Sequence, residues 1–536
     1  MNLSKIQLPH ISEEEKTPSV VQLVIVTEQL LVINQQQAEE IQILKDEIAR
    51  LKGEKSKPKI PPSKLEKTSE NNEEDEDNDP SKKRPGSEKI SKTCDLEIHK
   101  FIKVPPSNIP EGSSLKGYQR FTVVGLDIKV HNVCYLLERW QTPDGKYLVG
   151  KLPPEVEGHF DAGLKAFILY QYVQCHVTQP LILEQLLEWG ISISSGELNR
   201  ILTEGKDDFH FEKDAILPVG LKASGHIHVD DTGARHDGKN GYCTHIGNEF
   251  FAWFESTDSK SRINFLQLLR AGQKDYVINE DALEYMNNQG LAKSVIHLLE
   301  KHSRKRFLDI TEWEAHLKEL QIVNHRHIKI ATEGALIGSI LSIGVPRSLV
   351  IISDDAGQFN VFNHALCWIH AERLINKLIA PNDEKRKILE DVKGQIWDFY
   401  AQLKDYKKSP DETKRIEIEN RFFEIFKQKT DFQTLNLALE RLYQNKSELL
   451  LVLDRPDIPL HNNLSESDIR EYVKKRKVSG STRSDLGRQC RDTFTSLKKT
   501  CRKLGISFWK YLLDRISKKN AIPFLPDIIL DRINSS

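Results

Sequence analysis

Apolar positions recur with two different periods along the chain, and the switches between periods outline its elements. From Gly225 to Thr232 they alternate, with Ile227 and Val229 set against His226, His228 and Asp230, which predicts a short strand running into a polar bend at Gly233. Residues 242–246 and 250–255 read as antiparallel partners of that strand, and 261–271 as a helix. The continuous apolar run at 348–353 predicts a strand buried on both faces. Residues 364–370 are expected as a fifth strand leading into a helix at 371–378.

Upstream the pattern is different. From Val20 to Leu51 a seven-residue spacing holds, with Leu23, Leu30, Leu44 and Leu51 in one register and Val20, Asn34, Ile41 and Ile48 in the other. This predicts a dimerising coiled-coil helix over 1–53, with Asn34 as the polar core residue that fixes register. Residues 54–98 carry too little apolar surface to offset the entropy of ordering and are expected as a charged linker. Residues 99–152 turn β-rich, and 153–215 turn helical. Within the latter, a helix, a turn at Gly190 and a second, Ser-capped helix carrying Arg200 form a helix-turn-helix-like pattern, read either as DNA-binding or as a plain helical hairpin.

Three strands, a helix, and then a strand that ends in acid follow the order of a ribonuclease H-like core. The α/β fold expected from this places the first part of the core at 220–375, with a helical insertion near 275–341. A second helical insertion is expected at 376–455, the last part of the core at 456–520, and a tail at 521–536.

Bulk composition adds little until it is read by position. A chain of 536 residues is expected to hold two to four domains. Lys+Arg (77) and Asp+Glu (78) nearly cancel. From Arg470 to Lys510, however, thirteen basic residues face three acids, so the balance hides a strongly basic segment. Seven Cys without a CxxC pair argue for a reducing compartment rather than a disulfide framework. No apolar run approaches the roughly 20 residues of a membrane span, and the polar, acidic N-terminus is not a secretory signal.

The candidate chemistry lies at the ends of these elements. Asp230, Asp354 and Glu466 come from three separate segments, and three carboxylates are suited to hold divalent metal for phosphoryl transfer. Two Mg2+ ions, with Mn2+ as a substitute, are the cofactor this implies, Asp230 bridging them. Asp231 and Asp355 adjoin the first two acids, and strand periodicity alone does not choose within each pair. Arg470, Lys474, Lys475, Arg476, Lys477, Arg483 and Arg488 are expected to track DNA phosphates beside the site, which makes binding salt-dependent. Cys367 and His370 have a metal-like spacing but no partner pair, so a structural role near the site is favoured over zinc. The His226-x-His228 pair keeps a metal-dependent hydrolase as a lesser alternative.

At this point a resemblance becomes specific. HVDDTGAR at 228–235, SDDAGQFN with CWIHAER at 353–373, and PLHNNLSESDIREYVKKRK at 459–477 resemble the three motifs of the insertion sequence 66 family of transposases. GHFDAGLKAFILYQY and ISISSGELNRIL are also similar to it, so the likeness covers most of 96–516. The Cys-rich zinc module of many relatives is not matched, since only Cys94 stands in that region. The resemblance implies an acidic-triad (DDE) enzyme with Asp230, Asp354 and Glu466 catalytic and Arg470 in support. Such an enzyme binds the terminal inverted repeats of its element and joins cleaved ends to target DNA. The resemblance further implies a dimer or larger assembly, accessory proteins of the element, and a bacterial cytoplasmic, nucleoid-associated location. The competing reading is a catalytically inactive DNA-binding relative.

Overall fold

The computed structural model describes residues 97–126, 128–153, 156 and 158–535, with a few further positions between 17 and 30. The expected coiled coil and charged linker therefore lie almost wholly outside the described residues.

Arg139–Gln141 (β1) and Tyr147–Val149 (β2) form a hairpin around the Pro143-Asp144-Gly145 turn. Among the described residues of 99–152, no other strand forms. Phe121, Val123, Val124 and Leu126 are exposed, and a strand that neither pairs nor buries a face has little to hold it. Four helices follow: α1 (Ala162–Val173), α2 (Gln179–Glu188), α3 (Ser195–Thr203) and α4 (Asp207–Ala223). Gly190, at φ +78°, turns the chain between α2 and α3, and the Ser194 hydroxyl accepts from the Glu197 N–H at 3.1 Å to start α3.

Next come β3 (His226–Gly233), β4 (Tyr242–Gly247), β5 (Ala252–Thr257) and α5 (Arg262–Leu269). The chain then leaves the sheet through β6 (Tyr276–Val277), α6 (Glu280–Asn288), α7 (Lys293–Lys301), β7 (Arg306–Phe307) and α8 (Ile310–Glu319). It returns along α9 (His325–Ser342), which packs on α5, α6 and β6. After β8 (Val350–Ser353), β9 (Asn363–Leu366) and α10 (Trp368–Asn376) comes a second helical excursion. It consists of α11 (Asp383–Lys408), α12 (Glu412–Lys427), α13 (Gln433–Gln444) and α14 (Lys446–Leu449). The chain closes with α15 (Asn463–Ser479), α16 (Asp485–Lys503), α17 (Phe508–Ile516) and α18 (Leu525–Ser535).

The main sheet has the order β5-β4-β3-β8-β9, with β3, β4 and β5 antiparallel and β8 and β9 parallel to β3. The fold is thus mixed α/β and rich in helix. Ile227, Val229 and Ile351 bury one face in a core shared with α4, α5 and α9. Val350 and Ile352 bury the other against α10 and the second excursion.

Two boundaries differ from expectation. The fifth strand is shorter and the helix after it earlier, because Cys367 already takes the N-cap position of α10. The expected tail holds α18, whose Leu525 and Ile529 are fully buried as it packs on α4.

The outer edge of β5 is closed by a helix instead of a strand. The N–H groups of Ala252, Phe254 and Ser256 donate to Thr500 Oγ1 (3.1 Å), Ser496 Oγ (2.9 Å) and Asp492 Oδ2 (2.8 Å) of α16. Every second strand residue advances about 6.6 Å and every fourth helix residue about 6 Å, so the two rows stay in step. Among the described residues, no helix is long and apolar enough to cross a membrane.

Candidate active site

Parallel pairing sets His226, Ile227 and His228 of β3 beside Val350, Ile351 and Ile352 of β8. The same register, counted two residues further, brings Asp230 level with Asp354, the residue that follows the end of β8. Strand alternation separates Asp230 from Asp231. Asp231 is engaged by Thr244 Oγ1, which donates to Oδ1 at 2.5 Å, and by Gln358 Nε2, which donates to Oδ2 at 3.1 Å. Asp355 turns outward into an exposed ion pair with Arg441 on α13. The second member of each acidic pair is therefore occupied elsewhere.

Asp230 has its carboxyl pushed up to about 7. Burial is the largest cause, the negative charge of Asp354 the next, and Asp231 and Glu466 add to it. The bond its Oδ1 accepts from the Asp231 N–H, at 2.7 Å, only partly offsets them.

Glu466 lies in the first turn of α15 with 16 % of its side chain exposed. Its Oε1 accepts from Arg373 Nη1 at 3.0 Å and has His370 Nε2 at 3.5 Å, while Oε2 accepts from Arg470 Nη2 at 3.3 Å. The oxygens of Asp230, Asp354 and Glu466 do not all come within 4.8 Å of one another. The two arginines hold Glu466 to its own side.

The start of α15 is fixed by Asn462. Its Nδ2 donates to the Val229 carbonyl at 2.8 Å, its Oδ1 accepts from His228 Nδ1 at 2.9 Å, and its N–H donates to Cys367 Sγ at 3.1 Å. Cys367 is thus a buried acceptor, its thiol pushed up to about 11 by burial. His228, pushed down to about 3 chiefly by burial, is committed to Asn462, and His226 Nε2 stands 3.6 Å from Glu249. These partners give the HxH pair structural employment.

The opposite face of α15 is held by buried charges. Asp468 meets Lys499 at 2.8 Å and Lys503 at 2.9 Å, with His245 Nε2 at 3.1 Å. Burial alone would raise the Asp468 carboxyl, but these partners hold it well below the usual carboxylate range. Burial lowers the His245 imidazole below its ordinary value, and the ring shares a hydrogen bond with Ser465 Oγ at 2.6 Å. A turn later Glu471 pairs with Lys498 at 2.5 Å and His176 at 2.8 Å.

The basic residues divide into two groups. Lys475, expected against phosphate, is instead buried: its Nζ donates to the Tyr172 carbonyl at 2.6 Å and lies over the Tyr172 ring. Lys498 Nζ donates to the neighbouring Val173 carbonyl at 3.2 Å. The last carbonyls of α1 lack intrahelical partners and attract cations, which explains why both lysines are drawn in. Burial pushes Lys475 down to about 7. Arg476 donates to the Gly233 carbonyl at the end of β3. Arg488 pairs with Asp258 (3.4 Å) and Asp485 (3.2 Å), and Arg200 with Glu197 on its own helix. Arg470, Lys474, Lys477 and Arg483 remain exposed. Sequence reasoning assigned no role to Arg373, Asn462 or Asp468. All three lie in or beside the quoted motifs, and only the helical period of 465, 468, 472 and 475 pointed to the buried face.

Residues 349–490, from the start of β8 into α16, match the family described as Transposase IS66 family. That match sets the chain in the class of transposases. The chain belongs to the insertion sequence 66 transposase family. It is also 44% identical over 303 residues to "Uncharacterized protein y4jO" of Sinorhizobium fredii, a match that covers 56% of this chain and 94% of that protein.

Proposed function

We propose that this transposase is of the acidic-triad class, with Asp230, Asp354 and Glu466 as its catalytic metal ligands. It binds the terminal inverted repeats of an insertion sequence, cleaves the strand ends, and joins the freed 3′ hydroxyls to target DNA. The observation that carries this reading is the position of Asp230 on β3 level with Asp354 just past the end of the adjacent parallel strand β8, with the Asp230 carboxyl raised to about 7 partly by its acidic neighbours. The strand order β5-β4-β3-β8-β9, with a parallel second half, supports a ribonuclease H-like core.

The donor set fits a hard divalent cation, since all three groups offer carboxylate oxygen and they repel one another without one. Two Mg2+ ions, or Mn2+, would activate the attacking water or hydroxyl and stabilise the leaving oxygen. The chain's own part is positional. Asp230 would bind the metal as the carboxylate, Arg373 and Arg470 hold Glu466, and Asn462 fixes the helix that carries it. Arg470, Lys474, Lys477 and Arg483 present charge to the DNA backbone beside the site. Pairing two ends requires at least two copies of the chain.

The test is Mg2+- or Mn2+-dependent nicking of a labelled duplex carrying the element's own end, comparing the native chain with Asp354→Asn and Glu466→Gln. Nicking by the native chain alone supports the triad. If all three bind the duplex and none cuts it, with the element's accessory proteins supplied, the chain is a DNA-binding relative without catalysis.

A further inference from the structure

The first excursion from the sheet carries a group of side chains unrelated to the triad. His302, at the C-terminal cap of α7, faces His316 and Glu319 in the last turn of α8. Each offers one ligand atom, and these atoms lie within 4.8 Å of one another. We propose that His302, His316 and Glu319 form a second metal site, separate from the catalytic carboxylates, that takes a single Zn2+ ion.

Four observations support it. His316 is only 3 % exposed and stacks on Phe307 with ring centroids 4.4 Å apart, so packing fixes its ring in place. Its Nδ1 stands 3.9 Å from Glu319 Oε2, too far for a hydrogen bond, yet an ion between them would close the gap. The two imidazole rings are edge to face with centroids 4.4 Å apart. Finally, the site sits at the C-terminus of a ten-residue helix, the negative end of its dipole, which favours a cation.

Two imidazole nitrogens and one carboxylate oxygen are a borderline donor set that suits zinc better than magnesium or calcium, and water would complete the tetrahedron. The nearby cations do not compete for the position. Arg304 is paired with Glu312, and Lys305 Nζ donates to the carbonyls of Leu299 and Glu300. The Arg304 N–H donates to His302 Nδ1 at 3.2 Å, a long, exposed bond that water can replace. The ion would tie the end of α7 to the end of α8 across β7 and brace the excursion.

The test uses the full chain stripped of metal, titrated with Zn2+ by calorimetry and with Co2+ by visible absorption. His302→Gln and Glu319→Gln alter partly or fully exposed ligands and should fold. Asp354→Asn controls for binding at the carboxylate site. The expected result is one Zn2+ per chain, a tetrahedral Co2+ spectrum, and affinity lowered at least about a hundredfold in either ligand variant, above the effect typical of an outer-shell change. Asp354→Asn should leave the ion and its spectrum in place, and Zn2+ should raise the melting temperature of the native chain but not of His302→Gln. The proposal is overturned if the native chain takes up no Zn2+, if both ligand variants bind as tightly as the native chain, or if Asp354→Asn alone removes the ion. None of these readouts depends on DNA cleavage, so the proposed function stands or falls separately.

Discussion

Arg373 Nη1 donates to Glu466 Oε1 at 3.0 Å, so a carboxylate of the candidate triad is held by a cation of the chain itself, reaching across from α10. An arginine in this place orients the acid and limits its pull on metal. Arg373→Ala should lower metal-dependent cleavage by about 10- to 100-fold, as loss of a supporting partner usually does. Cleavage measured against Mn2+ concentration, beside a DNA-binding assay, checks it: unchanged cleavage would remove Arg373 from the site.

Asp230 carries the opposite kind of prediction. Its folded value of about 7 lies above the unfolded value of about 3.9, so without metal the folded state holds the extra proton between those values. Metal-free stability contributed by this group therefore falls as pH rises from about 4 through about 7. Asp230→Asn should abolish cleavage, leave DNA binding intact, and stabilise the metal-free protein at pH 8 by on the order of 1–3 kcal/mol. Melting curves at pH 5 and pH 8 should show the gap between variant and native widening at the higher pH.

Asp468 works the other way. Its folded value lies below the unfolded one, so its contribution is complete above about pH 4 and is lost as pH falls through that value toward the folded one. Asp468→Asn leaves Lys499 and Lys503 facing each other in a buried position and should cost about 3–5 kcal/mol at neutral pH. The deficit relative to the native chain should shrink on acidification below pH 4, and denaturant titrations at pH 7 and pH 3.5 would measure it.

The two groups of basic residues should separate by salt dependence. Lys477→Ala and Arg483→Ala alter exposed cations, and each that contacts phosphate should reduce the slope of log affinity against log salt by about 1. Lys475→Met should leave that slope unchanged and lower stability, since Lys475 serves the carbonyl end of α1. A reduced slope for Lys475→Met would place that side chain on DNA after all.

The chain's own pattern announces some of this and conceals the rest. The alternation at 226–230 and the apolar run at 349–352 are strong because a central strand buries both faces, and they locate Asp230 and Asp354. Which acid of each pair faces the site depended on partners far away in sequence: Gln358 and Thr244 for Asp231, and Arg441 for Asp355. Lys475 reads as a surface cation by its charge, whereas Ile469 and Tyr472 set the same helical face inward. The apolar residues of 121–126 show the converse, since strand-like composition does not make a strand where no partner is supplied.

The row of Thr500, Ser496 and Asp492 along β5 has one more consequence. An open strand edge is a template for any other extended chain, and copies gathered at high local concentration are exposed to that hazard. Here the outward amides of Ala252, Phe254 and Ser256 are already consumed by side chains, so an arriving strand finds no donors to pair with. Crowded copies can therefore approach along this flank without seeding aggregation from it.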